Sequence, residues 1–157
     1  MTAQANNAAA RTSDRTLVIS RVFDAPRELV FKAWTEQEHI RHWLAPHGFT
    51  ITHCEGDCRP GGRFRSCMRS PEGTDHWVGG CYREVVKNER LVFSHAWDGA
   101  DGKPGHETQV IVTFADQAGK TLLTLHQALF DSVESRDGHR GGWTQSLERL
   151  TEYLNQM

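Results

Sequence analysis

Six strand-like segments follow one another between residues 49 and 129, each separated from the next by a short turn or loop of Gly, Pro and polar residues. Consecutive strands joined in this way pair antiparallel, so the run predicts a meander. The six segments are Phe49–Arg59, Arg63–Arg69, His76–Val86, Arg90–Trp97, His106–Ala115 and Thr121–Leu129. An alternating, β-branched segment at Arg15–Val22 adds a strand ahead of them. The sequence therefore predicts one seven-stranded antiparallel sheet.

Helical signals stand on both sides of the strand run. After the first strand, Asp24-Ala25-Pro26 predicts a helix start with its Asp as the N-cap. Thr35 and Glu38 have capping-box spacing, which predicts a second short helix from Glu36 to Leu44. Near the C-terminus, apolar residues recur at helical spacing and predict an amphipathic helix over Gly141–Met157. Its apolar face consists of Trp143, Leu147, Leu150 and Leu154.

These elements combine into one expected architecture. The C-terminal helix is the only long amphipathic element that can cover an apolar sheet face. The predicted fold class is α+β, a seven-stranded antiparallel sheet wrapped around a long C-terminal helix, with two short helices after strand one. One helix cannot fill the whole concavity of such a sheet. We therefore expect an internal cavity, the kind of space in which small molecules usually bind.

Composition and charge exclude several function classes. The chain has 157 residues, 38% of them hydrophobic and 24% charged, with a net charge of −2. This balance fits one domain and lacks the basic field of a nucleic-acid binder, so we expect no nucleic-acid partner. No apolar stretch approaches the roughly 20 residues of a membrane helix, so we expect no membrane insertion. Residues 1–14 lack the apolar centre of an export signal. They are expected to form a flexible tail before a domain at residues 15–157, and the expected compartment is the cytoplasm.

Strand alternation points particular aromatic residues into the concavity. In Arg63–Arg69, Phe64, Ser66 and Met68 share one face, and the arginines and Cys67 share the other. We expect the Phe64 face to point inward and the arginine face to meet solvent. Ordinary core filling explains inward aromatic residues equally well, and both interpretations stay open here. The predicted ligand-binding residues are Trp43, Phe64, Met68, Tyr82, Trp97 and Trp143.

Cysteines and histidines raise the question of a metal site. The spacing of Cys54 and Cys58 loosely fits zinc ligands. In one extended strand, however, the two residues lie roughly 13 Å apart, too far for one ion. We therefore predict no metal and no cofactor. Without an export signal, the four cysteines are expected to be partly exposed thiols (Cys54, Cys58, Cys67 and Cys81).

Catalytic motifs are absent from the sequence. It contains no G-x-S-x-G, H-E-x-x-H or S-x-x-K pattern, so no catalytic residue is assigned and an enzyme is not the leading expectation. Acid–base chemistry would need a polar side chain inside the cavity, for which His126 and His95 are weak candidates. Alternation places His126 on the less apolar strand face, which favours a solvated position. The glycine pairs belong to no phosphate-binding motif. We expect Gly79-Gly80 at a strand bulge or bend and Gly141-Gly142 at the start of the last helix.

Four segments occur in the order typical of one family. They are VFDAPRELVFKAWTEQEHIRHWLAP, DCRPGGRFRSCMRSPEGT, GCYREVVKNERLVFSHAW and GHRGGWTQSLERLTEYL. With them the chain resembles START-like (SRPBCC) proteins, specifically those similar to the C-terminal domain of the activator of the ninety-kilodalton heat-shock protein's ATPase. The resemblance implies the helix-grip fold. Relatives of this kind bind lipids or polyketides, cyclise aromatic polyketides or sequester toxic natural products.

The predicted function is binding of a small hydrophobic ligand, a lipid or an aromatic, polyketide-like molecule, in an internal cavity without assigned catalysis. Two alternatives stay open, a cyclase or hydrolase-type enzyme using cavity polar residues such as His126, and a co-chaperone-like protein-interaction module. The heat-shock activators use a separate N-terminal domain for which this chain has no room, so we do not expect a chaperone partner. The sequence leaves a homodimer open.

Overall fold

The computed structural model describes residues 14–157, in which seven strands form a single sheet. The strands are β1 (Leu17–Phe23), β2 (Thr50–Gly56), β3 (Arg63–Arg69), β4 (Asp75–Val86), β5 (Arg90–Trp97), β6 (Thr108–Gln117) and β7 (Lys120–Ala128). Their order across the sheet is β1-β7-β6-β5-β4-β3-β2. Every neighbouring pair is antiparallel. The meander from β2 to β7 is thus confirmed, and β1 extends the sheet by pairing with β7.

Three helices accompany the sheet. Two short ones, α1 (Arg27–Thr35) and α2 (Gln37–Ile40), lie between β1 and β2, and the long α3 (Val133–Gln156) follows β7. This arrangement confirms the predicted α+β helix-grip class. None of the described helices is long and apolar enough to span a bilayer. The predicted tail at residues 1–14 falls outside the described residues except for Asp14, whose carbonyl accepts a hydrogen bond from Arg136.

Strand boundaries differ from the prediction where a turn is tighter than its composition suggested. The bounds of β3 and β5 match the predicted ones. Between β6 and β7 we predicted a five-residue loop, but only Ala118 and Gly119 connect the strands. Both residues have positive φ, of 54° and 86°, as a two-residue hairpin turn requires. Both strands therefore reach into the predicted loop.

The predicted caps of the short helices are wrong. The N-cap of α1 is Pro26, without a side-chain cap hydrogen bond, so Asp24 does not cap it. The N-cap of α2 is Glu36, again without a side-chain bond, and α2 ends at Ile40 rather than Leu44. Thr35 lies in the last turn of α1, so its hydroxyl donates back to the Phe31 carbonyl over 2.9 Å. The capping box therefore does not form.

The long helix begins eight residues earlier than predicted. It starts after Ser132, whose hydroxyl accepts a hydrogen bond of 3.0 Å from the Ser135 amide. Gly141 and Gly142 therefore lie inside α3 rather than at its start. Its apolar face is buried as predicted, at Trp143, Leu147, Leu150 and Leu154. Packing of this face outweighs the low helix propensity of the glycines.

One cysteine and one glycine pair also differ from expectation. All four cysteines are free, but Cys67 is buried, with only 1% of its surface exposed. Its cross-strand neighbours are His53 and Trp77, whose rings lie 5.3 Å apart and cover the small thiol. The register shift of β4 falls beyond Tyr82 rather than at Gly79-Gly80. Gly80 instead allows the Ser94 backbone and the Phe64 ring to approach β4 closely.

Candidate functional site

A cavity of about 420 Å³ lies between the sheet and α3. Its lining comes from α1, α2 and the turns after α2, from β3, β4 and β5, and from the first half of α3. The volume falls within the range of small-molecule pockets, about 300–1,000 Å³. The space lies on the half of the sheet away from β1 and is partly open to solvent.

Small residues on α3 leave this space open. Ser135, Gly138, Gly142 and Ser146 line the cavity and recur at spacings of three or four, so they share one helix face. A Cβ added at Gly138 would meet no atom within 4 Å. One added at Gly142 would meet only the Pro46 ring, at 4.0 Å. These small residues leave open space between α3 and the sheet, beside the larger His139 and Trp143 that also line the cavity.

Three aromatic rings form the sheet side of the cavity. The Phe64 ring lies 5.5 Å from both the Tyr82 and the Phe93 rings, and those two lie 5.9 Å apart. Gly80 permits this cluster, because a Cβ there would stand 2.8 Å from the Phe64 ring and 1.9 Å from the Ser94 carbonyl oxygen. The alternation argument is confirmed at this point, since Phe64 and Met68 both line the cavity.

A second group of rings, centred on Trp143 of α3, forms another part of the lining. Trp34 stacks on Trp143 with ring centroids 5.8 Å apart and planes 24° apart. The His95 ring lies 6.1 Å from Trp143, and Trp43 packs 4.7 Å from Trp34. All four residues line the cavity. A flat molecule would therefore meet ring faces and edges from both the helices and the sheet.

A buried hydrogen-bond chain fixes Trp143 in place. The indole Nε1–H donates to Gln127 Oε1 over 2.8 Å, and Gln127 Nε2 donates to Thr108 Oγ1 over 2.8 Å. The Thr108 hydroxyl in turn donates to the His95 carbonyl over 3.1 Å. Gln127 is fully buried, so its amide meets these partners instead of water. The chain ties α3 to three neighbouring strands.

Two polar partners occupy the ring nitrogens of His139. His139 Nδ1 lies 2.7 Å from the Ser135 carbonyl oxygen, which can only accept a hydrogen bond. Trp97 Nε1–H donates to His139 Nε2 over 3.0 Å. The two partners therefore place the His139 proton on Nδ1 and occupy both ring nitrogens.

His95 differs from these polar groups. It is 7% exposed and lines the cavity, and its Nδ1 is buried without a hydrogen-bond partner among residues 14–157. Burial, with a smaller contribution from the neighbouring His139, lowers the pKa of the His95 imidazole to about 3. The ring is therefore neutral near pH 7.

Acidic and basic side chains other than histidine are missing from the described lining of the cavity. Among the described residues that line it, none is Asp, Glu, Lys or Arg. Burial raises the pKa of the Tyr82 phenol above its usual range, so this hydroxyl is neutral as well. The polar atoms that remain are hydroxyls, amides and imidazole nitrogens. Such a surface suits an uncharged, largely apolar molecule.

The structure brings the predicted ligand-binding residues together. All six line the cavity (Trp43, Phe64, Met68, Tyr82, Trp97 and Trp143). Of the two candidate histidines, His95 lines it, whereas His126 lies half-buried on the opposite face of β7. The alternation pattern had placed His126 on that outer face. Its Nδ1 is buried and unpaired in the described part of the chain, so the expected solvated position is wrong for that atom.

Sequence reasoning missed other parts of the site. His139 lies ahead of Gly141, where the last helix was predicted to begin. Gln127 went unnoticed although it follows Leu123 and Leu125 at alternate positions, and a polar residue in such an apolar series signals a buried hydrogen bond. Trp34 lines the cavity but was not among the predicted ligand-binding residues. Further unpredicted liners are Ile40, Phe49, Val78, Phe93, Ser135 and Ser146.

Groups that could bind metal lie outside this cavity. Glu36, Glu38 and His39 bring potential ligand atoms within 4.8 Å of one another, beside exposed carboxylates. His39 Nδ1 already lies 2.6 Å from the Tyr153 hydroxyl. Cys54 donates its thiol hydrogen to Gln37 Oε1 over 3.1 Å, and burial raises its pKa. These groups are explained by their protein partners.

Comparisons with known proteins agree on one family. The family model described as Activator of Hsp90 ATPase homolog 1-like protein matches residues 24–155. The AHSA1 protein of Silicibacter pomeroyi superposes with a TM-score of 0.82 at 25% identity, covering 89% of this chain and 97% of its own. A Chromobacterium violaceum protein gives 0.81 at 28% identity, covering 88% and 95%. One from Nitrosomonas europaea gives 0.78 at 26% identity, covering 91% and 96%. A search of curated proteins finds no match.

Proposed function

We propose that this chain, which belongs to the Activator of Hsp90 ATPase homolog 1-like family of the START-like superfamily, binds a small hydrophobic ligand in its internal cavity. The observation that carries the proposal is the space of about 420 Å³ lined by aromatic and small residues. The ligand class is a lipid or an aromatic, polyketide-like molecule. The four free thiols fit a reducing compartment, so we place this activity in the cytoplasm.

The driving force is burial of the ligand's apolar surface. A molecule that hides about 300 Å² of apolar area gains roughly 7 kcal/mol at about 25 cal/mol per Å². Loss of its translational and rotational freedom opposes this gain, and only the surplus appears as affinity. The fixed rings limit the cost, because the hydrogen-bond chain from Trp143 to Thr108 already holds part of the lining in place.

The site favours binding over the two alternatives. A general base works best when its pKa lies near the working pH. His95, with a pKa of about 3, is too weak a base for that role at neutral pH. A second cavity histidine, His139, has both nitrogens occupied by Ser135 and Trp97, and the third, His76, is exposed. A co-chaperone module, in turn, does not require an internal cavity.

Two adjacent glycines offer a matched test. Gly142 faces the cavity, whereas Gly141 is exposed and a Cβ there would meet no atom within 4 Å. Gly142→Phe fills the cavity, and Gly141→Phe adds the same ring on the solvent side of the same helix. We would first look for a co-purified molecule by native mass spectrometry. A thermal-shift screen of lipids, aromatic polyketides and flavonoids would follow.

The expected result is saturable stabilisation of the unmodified protein. A ligand at 100 times its Kd stabilises the folded state by about 2.7 kcal/mol. Gly141→Phe should retain this shift and Gly142→Phe should lose it. No bound mass and no shift in any class would refute the proposal, and so would equal binding by the two variants.

A further inference from the structure

We infer that the ligand is an uncharged aromatic molecule that presents a hydrogen-bond acceptor, a carbonyl or hydroxyl oxygen, to the His95 imidazole. This inference rests on the proposed function and narrows its ligand class. It separates neutral aromatic ketones and phenols from carboxylates such as fatty acids. It also assigns His95 a role as the residue that sets polar specificity.

The side chains of the described lining favour an uncharged ligand. No described lining residue is Asp, Glu, Lys or Arg, and the lowered pKa of His95 keeps that ring neutral near pH 7. A carboxylate moved from water into this space would lose its hydration without gaining a cationic partner. Because the walls present aromatic rings from both helix and sheet, a flat ring system matches their stacking and edge contacts.

Unpaired polar atoms in the lining indicate where a polar group of the ligand would bind. Within residues 14–157, two lining rings hold a buried nitrogen without a partner, Trp34 Nε1 and His95 Nδ1. The indole of Trp34 has no other polar atom, and that atom is enclosed by protein. The second nitrogen of the His95 imidazole, Nε2, is not enclosed in this way, and in our proposal it is the atom that contacts the ligand. Hydrogen bonds to protein groups already occupy the ring nitrogens of Trp97, Trp143 and His139.

The tautomer of His95 follows from its surroundings. A neutral imidazole has one N–H donor and one bare acceptor. Buried N–H groups without a partner are rarer than unpaired acceptors in native proteins. The enclosed, unpaired Nδ1 is therefore the bare nitrogen, and the proton lies on Nε2. Nε2–H then donates to an oxygen of the ligand, which completes a polar contact that the protein leaves unmade at this ring.

Three probes with one ring system test the inference. Naphthalene has no polar group, 2-acetylnaphthalene adds an acceptor, and 2-naphthoate adds a charge at pH 7.5. Affinities can be measured by quenching of the fluorescence of the lining tryptophans. We expect 2-acetylnaphthalene to bind about fivefold more tightly than naphthalene, in line with one net hydrogen bond. We expect 2-naphthoate to bind at least about tenfold more weakly than the ketone.

Two variants assign the preference to His95. His95→Phe keeps an aromatic ring but removes both nitrogens, so it should bind naphthalene and 2-acetylnaphthalene about equally. His95→Gln restores a donor and should recover part of the preference. Circular dichroism and thermal unfolding establish that each variant is folded. If either fails to fold, the three-probe series on the unmodified protein still decides the question.

The outcomes separate this inference from the proposed function. Equal binding of naphthalene and its ketone, tightest binding of 2-naphthoate, or a ketone preference that survives in His95→Phe would each overturn the role of His95 while cavity binding stands. No binding of any probe, together with no hit among the lipids, polyketides and flavonoids, would refute the proposed function and the inference with it.

Discussion

Acid should destabilise this protein through His95 before its carboxylates begin to titrate. In the folded state the pKa of His95 is about 3, against about 6.5 for an exposed imidazole. Between these values the unfolded chain binds a proton that the folded chain does not. Stability therefore falls as the pH falls below about 6.5. The His95→Gln variant removes the titrating group and should abolish this part of the dependence.

The magnitude follows from these two pKa values. One additional proton in the unfolded state changes the free energy of unfolding by about 1.4 kcal/mol per pH unit. Between pH 7 and pH 5 the integrated loss is about 2 kcal/mol, because the unfolded imidazole is only partly protonated at the upper end. Asp75 and Asp98 interfere little in this window. Hydrogen bonds from Arg69 and Arg65 hold the pKa values of these carboxyls below their usual range, so their contributions are lost at lower pH.

Urea unfolding at pH 7, 6 and 5 measures the effect. The unmodified protein should lose about 2 kcal/mol more than His95→Gln between the two ends of this range. His53→Gln, which removes an exposed histidine, controls for the loss of one imidazole from the unfolded chain. Parallel pH profiles for the unmodified protein and His95→Gln would refute the buried, neutral state of His95.

Three further substitutions test the packing of the site. Gln127→Leu should cost about 2–4 kcal/mol in urea unfolding, because it leaves the Trp143 N–H buried without its 2.8 Å acceptor; a neutral result would mean that water or another group replaces the amide. Gly138→Ala should raise stability by about 0.5–1 kcal/mol, since the new methyl meets open space within a helix, and a lower Tm would contradict that. Gly80→Ala places a Cβ 1.9 Å from the Ser94 carbonyl oxygen and should destabilise by about 3 kcal/mol or more; a midpoint near that of the unmodified protein would show that the strands separate easily.

The sheet could be predicted because its signals are local. Turn residues bracket Arg63–Arg69 and Arg90–Trp97, and both segments are strands with those bounds. Period-two alternation then determines the face of each side chain, which is why Phe64 and Met68 were expected inward and line the cavity. The candidate liners followed from the same pattern combined with the expectation that one helix crosses the concave face.

Other parts of the site depend on contacts that no local pattern reveals. Thr35 and Glu38 have the spacing of a capping box, but Thr35 belongs to the preceding helix and bonds backward. Cys67 alternates outward yet is buried, because rings from the two neighbouring strands cover it. The role proposed for His95 depends on which neighbouring ring nitrogens already have hydrogen-bond partners. Those long-range contacts exist only in the folded chain.

The glycines of α3 explain both the largest error of the sequence analysis and the existence of the site. Each interior glycine costs a helix about 1 kcal/mol relative to alanine, and the last helix was predicted to begin only at Gly141, after Gly138. A helix that only had to cover the sheet would be more stable with bulky apolar residues there, because native interiors are close-packed. These positions instead leave open space beside Trp143 and His95. The glycines therefore lower the stability of α3 at the place where it lines the cavity. Such a loss of stability is expected where a helix has to leave room for a ligand.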